Sequence, residues 1–107
     1  MSAQDAPWTD LLAADALLPD DVTAINGPSG EIALYSVAGD VYATDNRCSH
    51  GNARLCEGFL AGHEIECPLH QGRFDVRNGQ PVYDPASVPL RSYPVKIEGG
   101  RVWLQLD

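Results

Sequence analysis

The residues of this chain best suited to chemistry form two short clusters, Cys48-Ser49-His50 and Cys67-Pro68-Leu69-His70, each joining one thiol to one imidazole. A binuclear [2Fe-2S] centre can use this mixed set, two thiolates holding one iron and two imidazoles the other. Each cluster then sends its cysteine to one metal and its histidine to the next. Zinc competes for the same four donors. Structural zinc sites, however, usually group cysteine with cysteine and histidine with histidine, so ligand order and softness favour iron and sulfide. Cys48, His50, Cys67 and His70 are therefore the candidate cofactor ligands, with a structural zinc-binding module as the non-redox alternative.

Two facing loops could present such ligands, and the sequence supplies the elements to hold them. Sixteen residues, Gly51 to Glu66, separate the motifs. That is room for a small strand excursion that returns the second loop opposite the first. Apolar alternation broken by glycine and proline predicts short strands at Val22–Ile25, Ile32–Val37 and Val41–Thr44. Ile32, Leu34 and Ser36 are expected to share one face. Turns are expected across Asn26 to Gly30 and at Ala38-Gly39. Val95–Ile97 and Val102–Leu104 flank Glu98-Gly99-Gly100-Arg101, a second hairpin signal, and are expected to close the same sheet. Glu64–Glu66 and Arg73–Asp75 read as small strands of a glycine-rich lobe at about 45–83. Leu11 to Leu17 reads as a short helix. The expectation is one all-β domain over 1–107, an antiparallel scaffold carrying its ligands in loops of that lobe.

From Val41 to Asp75 the chain reads VYATDNRCSHGNARLCEGFLAGHEIECPLHQGRFD, which resembles the Rieske ferredoxins of multicomponent aromatic-ring dioxygenases, the naphthalene and biphenyl systems among them. The run CPLHQGRFDV is similar to the naphthalene dioxygenase type, and Tyr93 to Glu98 resembles the same family less specifically. The resemblance implies a Rieske fold, one [2Fe-2S] cluster on Cys48, His50, Cys67 and His70, and a role in aromatic hydrocarbon catabolism. It also implies two partners, an NADH-dependent flavin reductase that gives the electron and a terminal oxygenase that receives it. A small subunit of a nitrite-reductase-type system is the alternative within electron transfer.

Composition narrows the field further. At 107 residues with 44% hydrophobic content the core is modest, and a metal group helps to staple a domain this small. Three cysteines, two of them committed to iron, leave only Cys56 and no disulfide framework, which suits a reducing cytosol. The start lacks a basic, apolar and cleavable leader, and Leu11 to Leu17 is too short to span a bilayer. A soluble, cytoplasmic protein is expected, unlike the membrane-anchored Rieske subunits of respiratory complexes. The net charge is −8, with ten acids against three bases outside residues 45 to 77. That acidity argues against nucleic acid as a partner and serves either solubility or the steering of basic partners.

A complete oxygenase also needs mononuclear iron on two histidines and a carboxylate. With His50 and His70 assigned, only His63 remains of three histidines, and it reads as a surface residue. No glycine fingerprint for NADH or FAD is present either. The expectation is thus an electron carrier, not an enzyme. Compared with high-potential respiratory Rieske proteins, the matching positions here hold Ala53, Leu69, Gly72 and Phe74, which provide neither a disulfide nor hydroxyl donors to sulfur. The negative part of the Rieske range of about −150 to +300 mV is expected. Cys56 reads as a packed or idle thiol, and Trp8 and Trp103 as core or edge packing. Pro85-Ala86-Ser87-Val88-Pro89 resembles the third loop that shields the cluster in this family. Leu69 and Gln71, beside His70, are placed on a docking surface.

Overall fold

The computed structural model describes residues 7–27, 30–48, 53–69, 72–83 and 88–105. Their strands are β1 (Trp8–Ala13), β2 (Asp21–Gly27), β3 (Gly30–Val37), β4 (Asp40–Asp45), β5 (Phe59–Ala61), β6 (Glu64–Glu66), β7 (Arg73–Asp75), β8 (Pro81–Tyr83), β9 (Ser92–Tyr93), β10 (Val95–Glu98) and β11 (Arg101–Gln105). They form three antiparallel sheets, in the orders β1-β11-β10, β2-β3-β4-β9 and β5-β6-β7-β8. The all-β expectation holds.

The middle strand β3 explains how the sheets pack. Its side chains alternate between two apolar cores, so both of its faces are covered. Ile32 and Leu34 point into one core with Ala43 and Leu104, against which Leu11, Leu12 and Val95 of the β1-β11-β10 sheet also pack. Ala33, Tyr35 and Val37 point into the other, with Cys48, Leu55, Ile65, Cys67, Phe74 and Val76. The shared face expected for Ile32 and Leu34 is real, while Ser36, further along it, is only half-buried. Each fully buried Leu, Ile or Phe contributes about 1.5–3 kcal/mol, so the two cores bind the outer sheets to the middle one.

Turn chemistry sets the registers. The β3–β4 hairpin closes Val37 on Asp40 through Ala38 (φ 52°) and Gly39 (φ 86°). That double positive φ is the primed turn whose twist suits antiparallel strands. The β10–β11 hairpin repeats it at Gly99 and Gly100, with φ of 61° and 73°. Antiparallel pairing runs to Gly27 opposite Gly30, as the turn signal at Asn26 to Gly30 predicted, although Pro28 and Ser29 lie outside the described residues.

Two expectations are corrected. Leu11 to Leu17 is not a helix: Trp8–Ala13 is a strand paired with β11, followed by a single 3-10 turn at Ala14–Ala16. The leucine and alanine content favours helix locally, but pairing with β11 and packing of the partly buried Leu11, Leu12 and Leu17 against the core of Ile32 and Leu34 outweigh it. The β10–β11 hairpin does not close the sheet of β2, β3 and β4 either. It pairs with β1 as a separate layer, and the two-residue strand β9 takes the edge of β4 instead, with Ala43 opposite Tyr93.

Candidate metal centre

The two candidate cysteines make the same kind of backbone bond. Cys48 donates its backbone N–H to the Ala53 carbonyl at 2.9 Å, and Cys67 donates its own to Gly72 at 2.7 Å. Each cysteine thus opens a six-residue loop that ends five residues on. The second loop is the tip of the β6–β7 hairpin, whose last pair is Glu66 opposite Arg73. The first extends a shorter ladder. Arg47 and Arg54 form an isolated antiparallel bridge, and Leu55 N–H donates to the Asn46 carbonyl at 2.7 Å.

Cys48 and Cys67 are not joined in a disulfide, are 2% and 1% exposed, and belong to one core with Leu55, Ile65, Phe74 and Val76. The other two expected ligands, His50 and His70, lie outside the described residues, as does Gln71. Two thiols buried in the same apolar core, each with its backbone N–H bonded to a carbonyl five residues on, suit a soft metal group screened from water. The described part of the donor set therefore fits a [2Fe-2S] cluster.

Of the four residues expected to bring neither hydroxyl nor disulfide, three are buried. Phe74 is fully buried among the same side chains, Gly72 is buried and its carbonyl closes the second loop, and Ala53 is buried where it closes the first. Leu69 is 57% exposed, pointing out of the second loop. Of the proline-containing loop, residues 84–87 lie outside the described residues, while Val88 and Pro89 are exposed and Leu90 returns to the core. Leu90 N–H donates to the Gly79 carbonyl at 2.8 Å, which fastens that segment to the lobe.

Polar residues that the sequence did not single out support the first loop. Asn46 is fully buried, and its amide binds Glu31 and Cys56. Arg54 grips Glu31 through two contacts, of 2.8 and 2.7 Å, and reaches Glu57 at 3.1 Å. Deeper in the core, Tyr35 donates to Thr44 Oγ1 at 2.8 Å, since the single Thr44 hydroxyl proton goes to the Asp45 carbonyl. Burial raises the Tyr35 phenol well above its ordinary range. Tyr93 donates to the Asp45 carboxylate, and burial together with that carboxylate pushes its phenol up to about 12. Of the side residues, Cys56 is a half-buried packed thiol as expected. His63 is half-buried, edge-on to the Tyr42 ring at 5.7 Å. Trp8 and Trp103 flank the Lys96 ammonium on the outer sheet, at 4.7 and 6.0 Å.

An antiparallel β framework that buries two thiols in one core is suited to a small domain that carries a soft metal group. The profile of the Rieske [2Fe-2S] domain matches residues 7–94, and the chain belongs to that family. It is 50% identical to the ferredoxin component of the naphthalene 1,2-dioxygenase/salicylate 5-hydroxylase systems of Ralstonia sp, over 94% of this chain and 96% of that relative. Among solved structures, the ferredoxin of carbazole 1,9a-dioxygenase from Nocardioides aromaticivorans IC177 is 37% identical with a TM-score of 0.88, covering 92% of this chain and 99% of that one. The structure of a complex of reduced oxygenase and oxidized ferredoxin in carbazole 1,9a-dioxygenase also matches, at 37% identity, a TM-score of 0.87 and 92% of each chain. The protein is a Rieske-type ferredoxin with one [2Fe-2S] cluster, an electron carrier and not an enzyme. Among the described residues no helix is long and apolar enough to cross a membrane.

Proposed function

We propose that this ferredoxin takes one electron at a time from an NADH-dependent flavin reductase and delivers it to the terminal oxygenase of an aromatic-ring dioxygenase system in the cytoplasm. The observation that carries this reading is the pair of buried cysteines in a chain half identical to the ferredoxin component of such a system. The same likeness favours it over the nitrite-reductase-type alternative. Cys48 and Cys67 hold one iron, and His50 and His70 the other. When bound, the cluster supplies a one-electron redox couple.

The protein's own residues provide the rest. The apolar core around Cys48 and Cys67 keeps water from the thiolates, and the two loop-closing bonds fix the direction of each motif. Exposed Leu69 sits one residue from His70 and offers apolar contact surface to a partner there. Ala53, Leu69, Gly72 and Phe74 bring no hydroxyl or disulfide to the site, which keeps the potential in the negative part of the Rieske range and suits electrons from NADH through flavin. The whole chain, 1–107, acts as one domain with a cluster-bearing lobe at about 45–83. Support for this comes from the β5-β6-β7-β8 sheet, whose core is shared with β3.

Reconstitution tests the role. With reductase, NADH and oxygenase, omission of this chain is expected to abolish product formation, while the chain alone turns over no aromatic substrate. Undiminished oxygenase activity without it would remove the carrier role.

A further inference from the structure

The two cysteine loops share a closing bond but differ in what stands behind it. Behind Cys67–Gly72 lies a regular hairpin, with Glu66, Ile65 and Glu64 paired to Arg73, Phe74 and Asp75. Behind Cys48–Ala53 the ladder gives out after three steps: Cys48 to Ala53, Arg47 to Arg54, and Leu55 N–H to the Asn46 carbonyl. Beyond that point the chain winds into the 3-10 turn Leu55–Glu57, so no further strand pair can hold the loop.

The Asn46 side chain takes over where the ladder ends. Its Oδ1 accepts the backbone N–H of Cys56 at 2.9 Å, the bond a next strand residue would have made. Its Nδ2 donates to Cys56 Sγ at 3.3 Å and to Glu31 Oε1 at 3.3 Å. Its own backbone N–H donates to the Glu31 carbonyl at 3.0 Å. One fully buried amide therefore ties β3, the end of β4 and the 3-10 turn together, two residues ahead of Cys48. Glu31 is in turn gripped by Arg54, the residue just before that turn. A buried amide with both ends engaged has one orientation only, which makes it a stiff support.

We infer that Asn46 and Cys56 are positioning residues that hold the first ligand loop in the geometry the cluster requires, so that the third cysteine serves as the hydrogen-bond acceptor of a support and not as a free thiol. The inference rests on Cys48 being a cluster ligand. Loss of the support leaves Cys48 in place but lets its loop shift, which loosens hold on the cluster and alters the electronic structure of the reduced form. Removing partners that orient metal ligands commonly weakens metal retention by about tenfold to a hundredfold.

The test compares holo wild type with Asn46→Ala, Cys56→Ala and Cys56→Ser, and with Leu104→Ala as a destabilised control in the other core. Rates of visible bleaching under an iron chelator, EPR spectra of the dithionite-reduced proteins and melting temperatures are recorded. Asn46→Ala is expected to bleach about tenfold or more faster than wild type, with shifted or broadened EPR features. Cys56→Ala should show a smaller change in the same sense. Cys56→Ser retains an acceptor and should return both readouts toward wild type, and Leu104→Ala should melt lower with an unchanged spectrum. If Asn46→Ala does not fold, the two Cys56 variants decide. Wild-type bleaching and EPR in Cys56→Ala and in any folded Asn46 variant would overturn the inference, whatever their melting temperatures. Wild-type protein without iron and sulfide would instead overturn the assignment of Cys48 as a ligand.

Discussion

Glu31 and Arg54 meet through two parallel contacts, Nε to Oε1 at 2.8 Å and Nη2 to Oε2 at 2.7 Å, joining β3 to the turn that follows the first cysteine loop. The Arg54 hydrogen bond holds the Glu31 carboxyl below its ordinary 4.5. Because the folded value is depressed, the stability this pair contributes is present above the ordinary value and lost as pH falls through the lowered one. Asp75, lowered from 3.8 chiefly by its hydrogen bond to Arg77, behaves in the same direction. Glu31→Gln is therefore expected to melt slightly below wild type at neutral pH, with the gap closing under acid conditions. Melting curves of the two holo proteins from pH 3 to 7 measure this; a gap that widens on acidification would contradict it.

Gly79 gives a sharper stability prediction. Its φ is 79°, and a Cβ there would lie 2.3 Å from the Leu90 carbonyl oxygen, across the contact that fastens the segment before β9 to the lobe. Gly39 has a similar φ of 86° but open space around it. Gly79→Ala should cost about 2–5 kcal/mol, from backbone strain plus overpacking, and Gly39→Ala about 1–2 kcal/mol from strain alone. Denaturant midpoints of the holo variants provide the comparison, and equal losses would mean the Leu90 contact yields freely.

Legibility in the sequence divided along the range of the forces involved. Local turn chemistry at Ala38-Gly39 and Gly99-Gly100 placed two hairpins, and the alternation in Ile32–Val37 placed the strand that became the centre of the fold. Mixed cysteine and histidine spacing pointed to the site, and the structure puts both cysteines in one core, with the histidines outside the described residues. What failed depended on distant partners. The segment from Leu11 is helix-like in composition yet becomes strand because β11 lies beside it, ninety residues away in the chain. Ser92–Tyr93 is a strand only because β4 offers an edge, and Pro94 ends it. Asn46 left no mark beyond being a polar residue ahead of Cys48, since its value lies in partners at positions 31 and 56.

The absent hydroxyls predict how the potential can be moved. Gly72→Ser and Phe74→Tyr should each raise the midpoint potential when the new hydroxyl donates to a sulfur, because such a bond favours the more negative reduced state. Phe74 is fully buried in the core that holds both cysteines, so a tyrosine hydroxyl there without a partner would instead cost about 1–3 kcal/mol of stability. Protein-film voltammetry, paired with structures of the variants, reads the outcome. An unmoved or lowered potential in a variant whose hydrogen bond is formed would count against the mechanism.

Charge predicts the behaviour of the encounter. Arg54, Arg73, Arg77, Lys96 and Arg101 each hold a carboxylate, which leaves the surplus of acids to dominate a chain of net charge −8. If that field steers the partner, stopped-flow reduction by a cognate reductase should slow as salt rises, through the association rate. A rate independent of salt would assign the acidity to solubility and leave the carrier role standing.

The central claim is that Cys48, His50, Cys67 and His70 hold one Rieske cluster, and the most direct measurement is the EPR spectrum of the dithionite-reduced protein, taken with iron and acid-labile sulfide analysis on the same sample. Two irons and two sulfides per chain are expected, with a Rieske-type spectrum that is lost in His50→Cys and His70→Cys even where some cluster remains. Protein that contains zinc without sulfide, or a Rieske spectrum that survives both histidine substitutions, would contradict it.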